Sequence, residues 1–371
     1  MRWWSFCLRF TGAAVLISLL ALGAHAIPPS DHLSVLRRGV AITGWYRFPV
    51  SAEPEALRGY LTDSDMMALR HAGFTFVRLA VQPEFLAGSP ERRALLVDAV
   101  QRLQRAGLAV VIDAHPAGWH LETSAADRAA LFGFWRGLAP ALRGLSPRLT
   151  FPELLNEPVF PDAPGQWAAL QDTLLHIVRT ALPDATIVLT GNDWGSIRGL
   201  TALRPAADSN VVYSFHFYAP QELTALAAYR PGLDRTVLAR LPFPNDAPGC
   251  AEVATGADAA TAGVVRFYCE QSWNDGRIAA EIGNAVAWGR RSHVALLLSE
   301  FGASAMLAPA AREGWLRAVR TACEAAGIGW ALWGYDDVMG FNLPRPVGAH
   351  PELDTNVLRA LGVTPSDSAS R

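Results

Sequence analysis

Short apolar runs alternate along this chain with longer segments in which apolar residues recur every three or four positions. The runs read as strands at 39–45, 74–81, 108–114, 149–155, 185–190, 210–217, 296–301 and 327–333. The longer segments read as helices at 62–72, 90–106, 125–142, 164–182, 275–288 and 310–326, with a last helical stretch near 351–361. Thr62 stands where a helix cap belongs, and Gly73 and Gly107 stand where two helices should stop. Strand and helix in alternation, with eight strands in all, predict a parallel sheet with right-handed crossovers. Eight such units predict an α/β fold of one closed (β/α)8 TIM barrel, a form that needs about 250 residues before insertions. An open doubly wound sheet is the competing architecture, but no Gly-x-Gly-x-x-Gly follows the first strand. The segment 219–274, after the sixth strand, is rich in Pro and Gly and reads as an irregular insertion that walls one end of any cleft.

Polar residues interrupt the pattern in one kind of place. Arg78, His115, Asn156, Glu157, His216, Tyr218, Glu300 and Trp333 all fall at or near the C-terminal ends of the strands. In a closed barrel those ends meet at one face, where active sites lie. Each residue alone has a plainer explanation. Asn156-Glu157-Pro158 could start a helix, Arg78 could be a structural ion-pair partner, and a lone histidine is more often a hydrogen-bonded core residue. Together they are harder to explain by packing, because buried polar groups need partners and these can partner one another. Leu154-Leu155-Asn156-Glu157-Pro158 and Leu296-Leu297-Leu298-Ser299-Glu300-Phe301-Gly302 each carry a glutamate out of an apolar strand. Two such glutamates are what a carboxylate-pair mechanism requires.

Composition narrows the chemistry. The chain has 371 residues, 51% of them hydrophobic, which suits one large core. Its net charge of −2 offers no basic stripe for a nucleic acid. All 32 basic residues are arginine, which excludes lysine Schiff bases, pyridoxal phosphate enzymes and a phosphate-loop lysine. Asp113, His115 and His120 could ligate a metal, yet no His-Glu-x-x-His is present, and no metal or other cofactor is expected. No Gly-x-Ser-x-Gly elbow points to a serine nucleophile.

The N-terminus reads as an export leader over 1–26. Arg2 and Arg9 supply its basic region, 10–22 its apolar core and Ala24-His25-Ala26 its cleavage site. The apolar run is shorter than a membrane span, so no stable anchor is expected. The expected mature domain covers 27–365, with a loose tail at 366–371, and it should act as a monomer in the periplasm or outside the cell. In such an oxidising compartment Cys250 and Cys269, close in sequence, are expected to pair, and Cys323 to remain a buried thiol on a helix.

In this order and combination, the chain resembles the cellulase-type glycoside hydrolase family 5 over roughly 39–337. The signals are Asn156-Glu157-Pro158, His216-Phe217-Tyr218, Ser299-Glu300-Phe301-Gly302 and Trp333, with Arg78 and His115 fitting the family's strand-two arginine and strand-three histidine. The resemblance implies a retaining β-glycosidase acting on a polysaccharide or oligosaccharide. Glu157 looks like its acid/base and Glu300 its nucleophile, while Arg78 and Tyr218 support Glu300 and His216 neighbours Glu157. Asn156 and His115 would contact the sugar and Trp333 would stack beneath it. Trp45, Trp119 and Trp194, just after strands one, three and five, are candidate cleft aromatics, whereas Trp135, Trp167, Trp288 and Trp315 belong between helix and barrel. The best expectation is an endo-β-1,4-glucanase. A β-mannanase, a β-1,3-glucanase, an exopolysaccharide hydrolase or a transglycosylase would use the same residues, and a non-catalytic polysaccharide-binding barrel is the rival from another class.

Overall fold

The structure, a computed structural model, describes residues 28–344 and 352–363. The expected leader at 1–26 and tail at 366–371 lie outside them. Eight strands close into a parallel barrel in sequence order. They are β1 (Arg38–Tyr46), β2 (Phe76–Val81), β3 (Ala109–Ala114), β4 (Thr150–Glu153), β5 (Ile187–Thr190), β6 (Val211–Phe217), β7 (Ala295–Phe301) and β8 (Gly329–Trp333). Helices such as Pro90–Arg105, Ala125–Leu138, Pro164–Ala181, Asp275–Ser292 and Pro309–Ala325 return the chain between them. Among the described residues, no helix is long and apolar enough to cross a membrane.

The period-two alternation of each strand divides the apolar residues between two compartments. Val77, Leu79, Val110, Ile112, Leu189 and Leu298 face the helices and join the large outer core. Trp135, Trp167, Trp288 and Trp315 are buried there, as their helical positions implied. Phe76, Val111, Phe151, Val188, Val212 and Leu297 face inward and fill the lower half of the barrel. This dry floor closes the interior beneath the C-terminal face.

Local details follow side-chain chemistry. Thr62 caps the helix Asp63–His71 through a reciprocal box with Asp65. The expected helix at 125–142 divides at Leu138 and continues as a 3₁₀ turn, Ala139–Leu142, containing Pro140. The segment 219–274 is helical where the sequence suggested irregular chain. It holds Gln221–Thr224, Arg235–Leu238, Ala247–Ala254 and Ala259–Cys269. Asp234, Asp246 and Asp258 accept from the first free amides of the last three. The Cys250 and Cys269 sulfurs are bonded, tying the last two helices together, and Cys323 is free and buried.

Candidate active site

A single buried arginine sets the geometry. Arg78 stands two residues beyond Phe76, so it also points inward, directly above the apolar floor. Its guanidinium is wholly buried and meets three carboxylates. Nε and Nη2 donate to Glu153 at 2.7 and 3.1 Å, Nη1 donates to Glu300 at 2.8 Å, and Nη2 lies 3.2 Å from Asp113. Burial opposes the charge of Arg78, but these carboxylates outweigh it and hold the pKa well above the usual value. Burial in turn raises Asp113 to about 6 and raises Glu153, each against the pull of Arg78.

From this anchor the polar network spreads across the mouth. Arg78 Nη2 also donates to Asn156 Oδ1 at 2.9 Å, and Asn156 Nδ2 donates to His115 Nε2 at 2.9 Å. His115 Nδ1 is then the protonated nitrogen, donating to Asp113 at 2.8 Å. Burial, with Arg47 and Arg78 nearby, holds His115 well below the usual pKa, which fits a neutral ring of this tautomer. The ring lies 5.5 Å from that of Trp333, and Arg78 and Arg47 face the same indole at 5.8 and 5.6 Å. Asn156-Glu157-Pro158 therefore starts no helix. Glu157 instead takes a left-handed backbone, φ 43°, a conformation uncommon for a residue other than glycine and often found at working sites.

The two glutamates meet over this network. One oxygen of each, together with a ring nitrogen of His216, lies within 4.8 Å of the others. His216 Nδ1 is 2.9 Å from Glu157 and 3.8 Å from Glu300. Tyr218 Oη donates to Glu300 at 2.7 Å. Their pKa values move apart. Burial raises Glu157, against its bond to His216 and reinforced by the charge of Glu300. Burial would also raise Glu300, but His216, Arg78 and the Tyr218 hydroxyl outweigh it and hold Glu300 low. Burial lowers His216, but the two glutamates prevail and raise it.

The register of β7 makes this meeting possible. Phe215 pairs with Leu298 but His216 pairs with Glu300, so Ser299 is an extra residue in the ladder. Such a bulge re-aims the side chain that follows it. Two residues later Gly302 has no room for a side chain. A Cβ there would sit 2.6 Å from the Trp333 carbonyl oxygen and 2.7 Å from that of Met339.

Of the candidate aromatics, Trp119 and Trp194 line the cleft and Trp45 does not. A cavity of about 510 Å³ is bounded by Arg47, His115, Trp119, Asn156, Glu157 and Trp194. A second, of about 610 Å³, is bounded by Glu157, Trp194, His216, Tyr218 and residues of the 219–274 insertion. Trp45 is fully buried, stacked 5.6 Å from Tyr60, with its indole N–H donating to the Leu57 carbonyl. The cause is a register shift against β2 between Ile42 and Tyr46, which leaves Trp45 on the helix side of the wall. Among the described residues, the three-ligand cluster is Glu157, His216 and Glu300, not Asp113, His115 and His120. Asp113 is committed to Arg78 and His115, and His120 is exposed.

Sequence reading passed over Glu153 and Arg47, and it saw Asp113 only as a metal ligand. Glu153 had a signal: it lies two residues past inward Phe151, as Arg78 lies past Phe76, and a buried arginine demands carboxylates. Asp336 was missed too. It accepts from the Thr43 and Gly44 amides and from Tyr60, joining β8 to β1 at the rim.

Comparison with known proteins speaks to the fold and the family. Endoglucanase 3 of Fibrobacter succinogenes is 26% identical over 333 residues, which cover 82% of this chain and 50% of that enzyme. This chain thus spans half the length of that relative. Endoglucanase C of Acetivibrio thermocellus is 23% identical over 318 residues, 81% of this chain and 91% of its own. Among solved structures, the endoglucanase Cel5A of Thermotoga maritima superposes with a TM-score of 0.71 at 20% identity, covering 90% of this chain and 99% of its own. The same enzyme has been solved with cellobiose and with mannotriose. The profile of the cellulase family, glycosyl hydrolase family 5, matches residues 40–337. With that match spanning most of its length, the chain belongs to the cellulase family of glycoside hydrolases, family 5.

Proposed function

We propose that this protein is an exported, retaining β-glycan hydrolase with endo-β-1,4-glucanase as its specific activity. The observation that carries the reading is the carboxylate pair: oxygens within 4.8 Å, one group raised and the other lowered in pKa. Retaining enzymes hold their carboxyls about 5–5.5 Å apart, whereas inverting ones leave about 6.5–9.5 Å for a water.

Roles follow from environment. Glu300, ionised between Arg78 and Tyr218, attacks the anomeric carbon. As that bond forms, the glycosidic C–O bond breaks and Glu157 gives its proton to the departing oxygen. Glu157, now a carboxylate, removes a proton from water. The water oxygen bonds to the anomeric carbon and Glu300 leaves with the electron pair of the ester bond. His216 lies against both carboxylates and steadies whichever carries charge. Asn156, its oxygen fixed by Arg78, keeps an amide N–H for a sugar hydroxyl. Neutral His115 and Trp333 border the same ring site. No step needs a metal or cofactor. The leader-like 1–26 supports export to the periplasm or medium, and the protein is taken to act as a monomer.

The test has two parts. Reducing-sugar release is measured on carboxymethyl cellulose, mixed-linkage glucan, mannan, xyloglucan, xylan and β-1,3-glucan. The endoglucanase reading expects the first two to be cut fastest, and preference for mannan or β-1,3-glucan would replace it. Glu157→Ala should lose about 10²–10⁴-fold on polymer yet be rescued by azide on a substrate with an activated leaving group. Absence of rescue, or a product of inverted configuration, would remove the retaining assignment.

A further inference from the structure

The closed strand order divides the rim of the barrel. Glu157 follows β4 and Glu300 lies on β7, so β5 and β6 occupy one arc between them and β8, β1, β2 and β3 the other. The groups that border the attacked ring, Trp333 and His115, both belong to the second arc. The leaving group must then run over the first. There the 610 Å³ cavity opens beside Glu157, the residue that would protonate the departing oxygen.

The outer wall of that cavity is built by the helical insertion, and it exposes aromatic rings. Tyr229 is 58% and Phe267 54% exposed, and both line the cavity together with Trp194, itself 60% exposed. Large aromatics left in water around a concave surface mark a binding surface rather than a core. These are held in place. The Tyr229 hydroxyl donates to Glu222 at 2.7 Å. Trp194 is presented by a left-handed pair, Asp193 and Trp194 at φ 62° and 60°, and its amide donates to the Pro158 carbonyl at 3.2 Å. Trp273 lines the same cavity but is buried, its indole N–H bonded to Gln271 and its face covered by Arg277 at 4.4 Å.

We infer that the 219–274 insertion forms a leaving-group subsite, in which Tyr229 and Phe267 pack on the apolar faces of sugar rings beyond the scissile bond. The inference rests on the hydrolase reading above. It makes Tyr229 and Phe267 specificity-determining residues. They favour substrates, and sugar acceptors, with at least one further ring on the leaving side over those that end at the cut.

The test compares the wild type with Tyr229→Ala/Phe267→Ala on two substrates. One is a six-ring oligosaccharide of the polymer the enzyme cuts, and the other an aryl glycoside of the matching disaccharide, whose leaving group carries no sugar. The expected result is a fall of roughly tenfold in kcat/KM on the oligosaccharide, mostly in KM, with the aryl glycoside unchanged. Tyr229→Phe, which keeps the ring and loses only its tether, should retain most of the oligosaccharide activity. Equal losses on both substrates, or no loss on the oligosaccharide, would overturn the subsite while leaving the hydrolase intact. A folded wild type inactive on both would overturn the hydrolase reading and the subsite together.

Discussion

Two layers of the barrel interior, one residue pair apart on the same strands, could hardly differ more. The lower layer is Phe76, Val111, Phe151 and Leu297, apolar and dry. One inward step higher stand Arg78, Asp113 and Glu153, all wholly buried. The lower layer is stabilised by burial, worth about 1.5–3 kcal/mol for a large apolar side chain. The upper layer is held by pairing. Taking its charges out of water costs several kcal/mol per ion, and attraction repays this only where every charge has a partner. Arg78 supplies that partner to Glu153 in two bonds and to Glu300 in one. The floor serves stability, then, and the charged layer serves function at no clear gain in stability. The floor also keeps water from rising beneath Arg78, which strengthens the field that Glu300 experiences.

The sharpest way to break this comparison is one substitution in each layer. Glu300→Gln should remove on the order of 10⁴–10⁶ of kcat while altering the melting temperature little. Phe151→Ala should do the reverse. It should cost about 3–5 kcal/mol of stability, read from urea denaturation, while the folded fraction keeps kcat within a few-fold. If Phe151→Ala abolishes turnover in molecules shown to be folded, the two layers are not separable.

Arg78→Lys probes the join between them. Lysine keeps the charge but cannot form the fork that grips Glu153 while reaching Glu300. Broken buried pairs cost about 3–5 kcal/mol, so both quantities should fall: stability by some part of that range, and kcat by about 10²-fold through misplacement of Glu300. Denaturation and kinetics on the same preparation read both. A change in only one would mean that Arg78 serves one layer alone.

How much of this was legible beforehand depended on whether a feature follows the strand period. Arg78, His115, Asn156 and Glu157 lie at positions that alternation and strand ends predict, and the barrel itself follows from eight strands alternating with helices. Irregular backbone was not legible. Ser299 looks like any polar residue in a strand, yet as the extra residue it decides where Glu300 points. The corresponding shift in β1 carried Trp45 to the outer core, so an aromatic at a strand end was read as facing the cleft when it faced a helix. The insertion was misjudged for another reason. Its Pro and Gly content suggested irregular chain, but Asp234, Asp246 and Asp258 recur at even spacing as helix caps, a local signal that composition hides. Glu153 was passed over although its inward position matched that of Arg78, because no partner had been sought for a buried arginine.

The finest test of the charged layer concerns proton position. Turnover needs Glu300 ionised and Glu157 protonated, so kcat/KM should be bell-shaped, rising as Glu300 loses its proton and falling as Glu157 loses its own. Arg78, His216 and Tyr218 hold Glu300 below the usual carboxylate range, and burial holds Glu157 above it, which widens the bell. His216 lowers both carboxylates, through charge at Glu300 and chiefly through its hydrogen bond at Glu157. Removing it in His216→Ala should therefore raise both pKa values and move both limbs to higher pH, with a modest loss at the summit. Arg78 keeps the acid limb from travelling far, since its own bond to Glu300 remains. Profiles for wild type and variant on one soluble substrate decide it. Limbs that stay in place while the summit drops would mean that His216 only holds Glu157 in position. Limbs that move in opposite directions would mean that the proton shared between His216 and Glu157 has been assigned to the wrong partner.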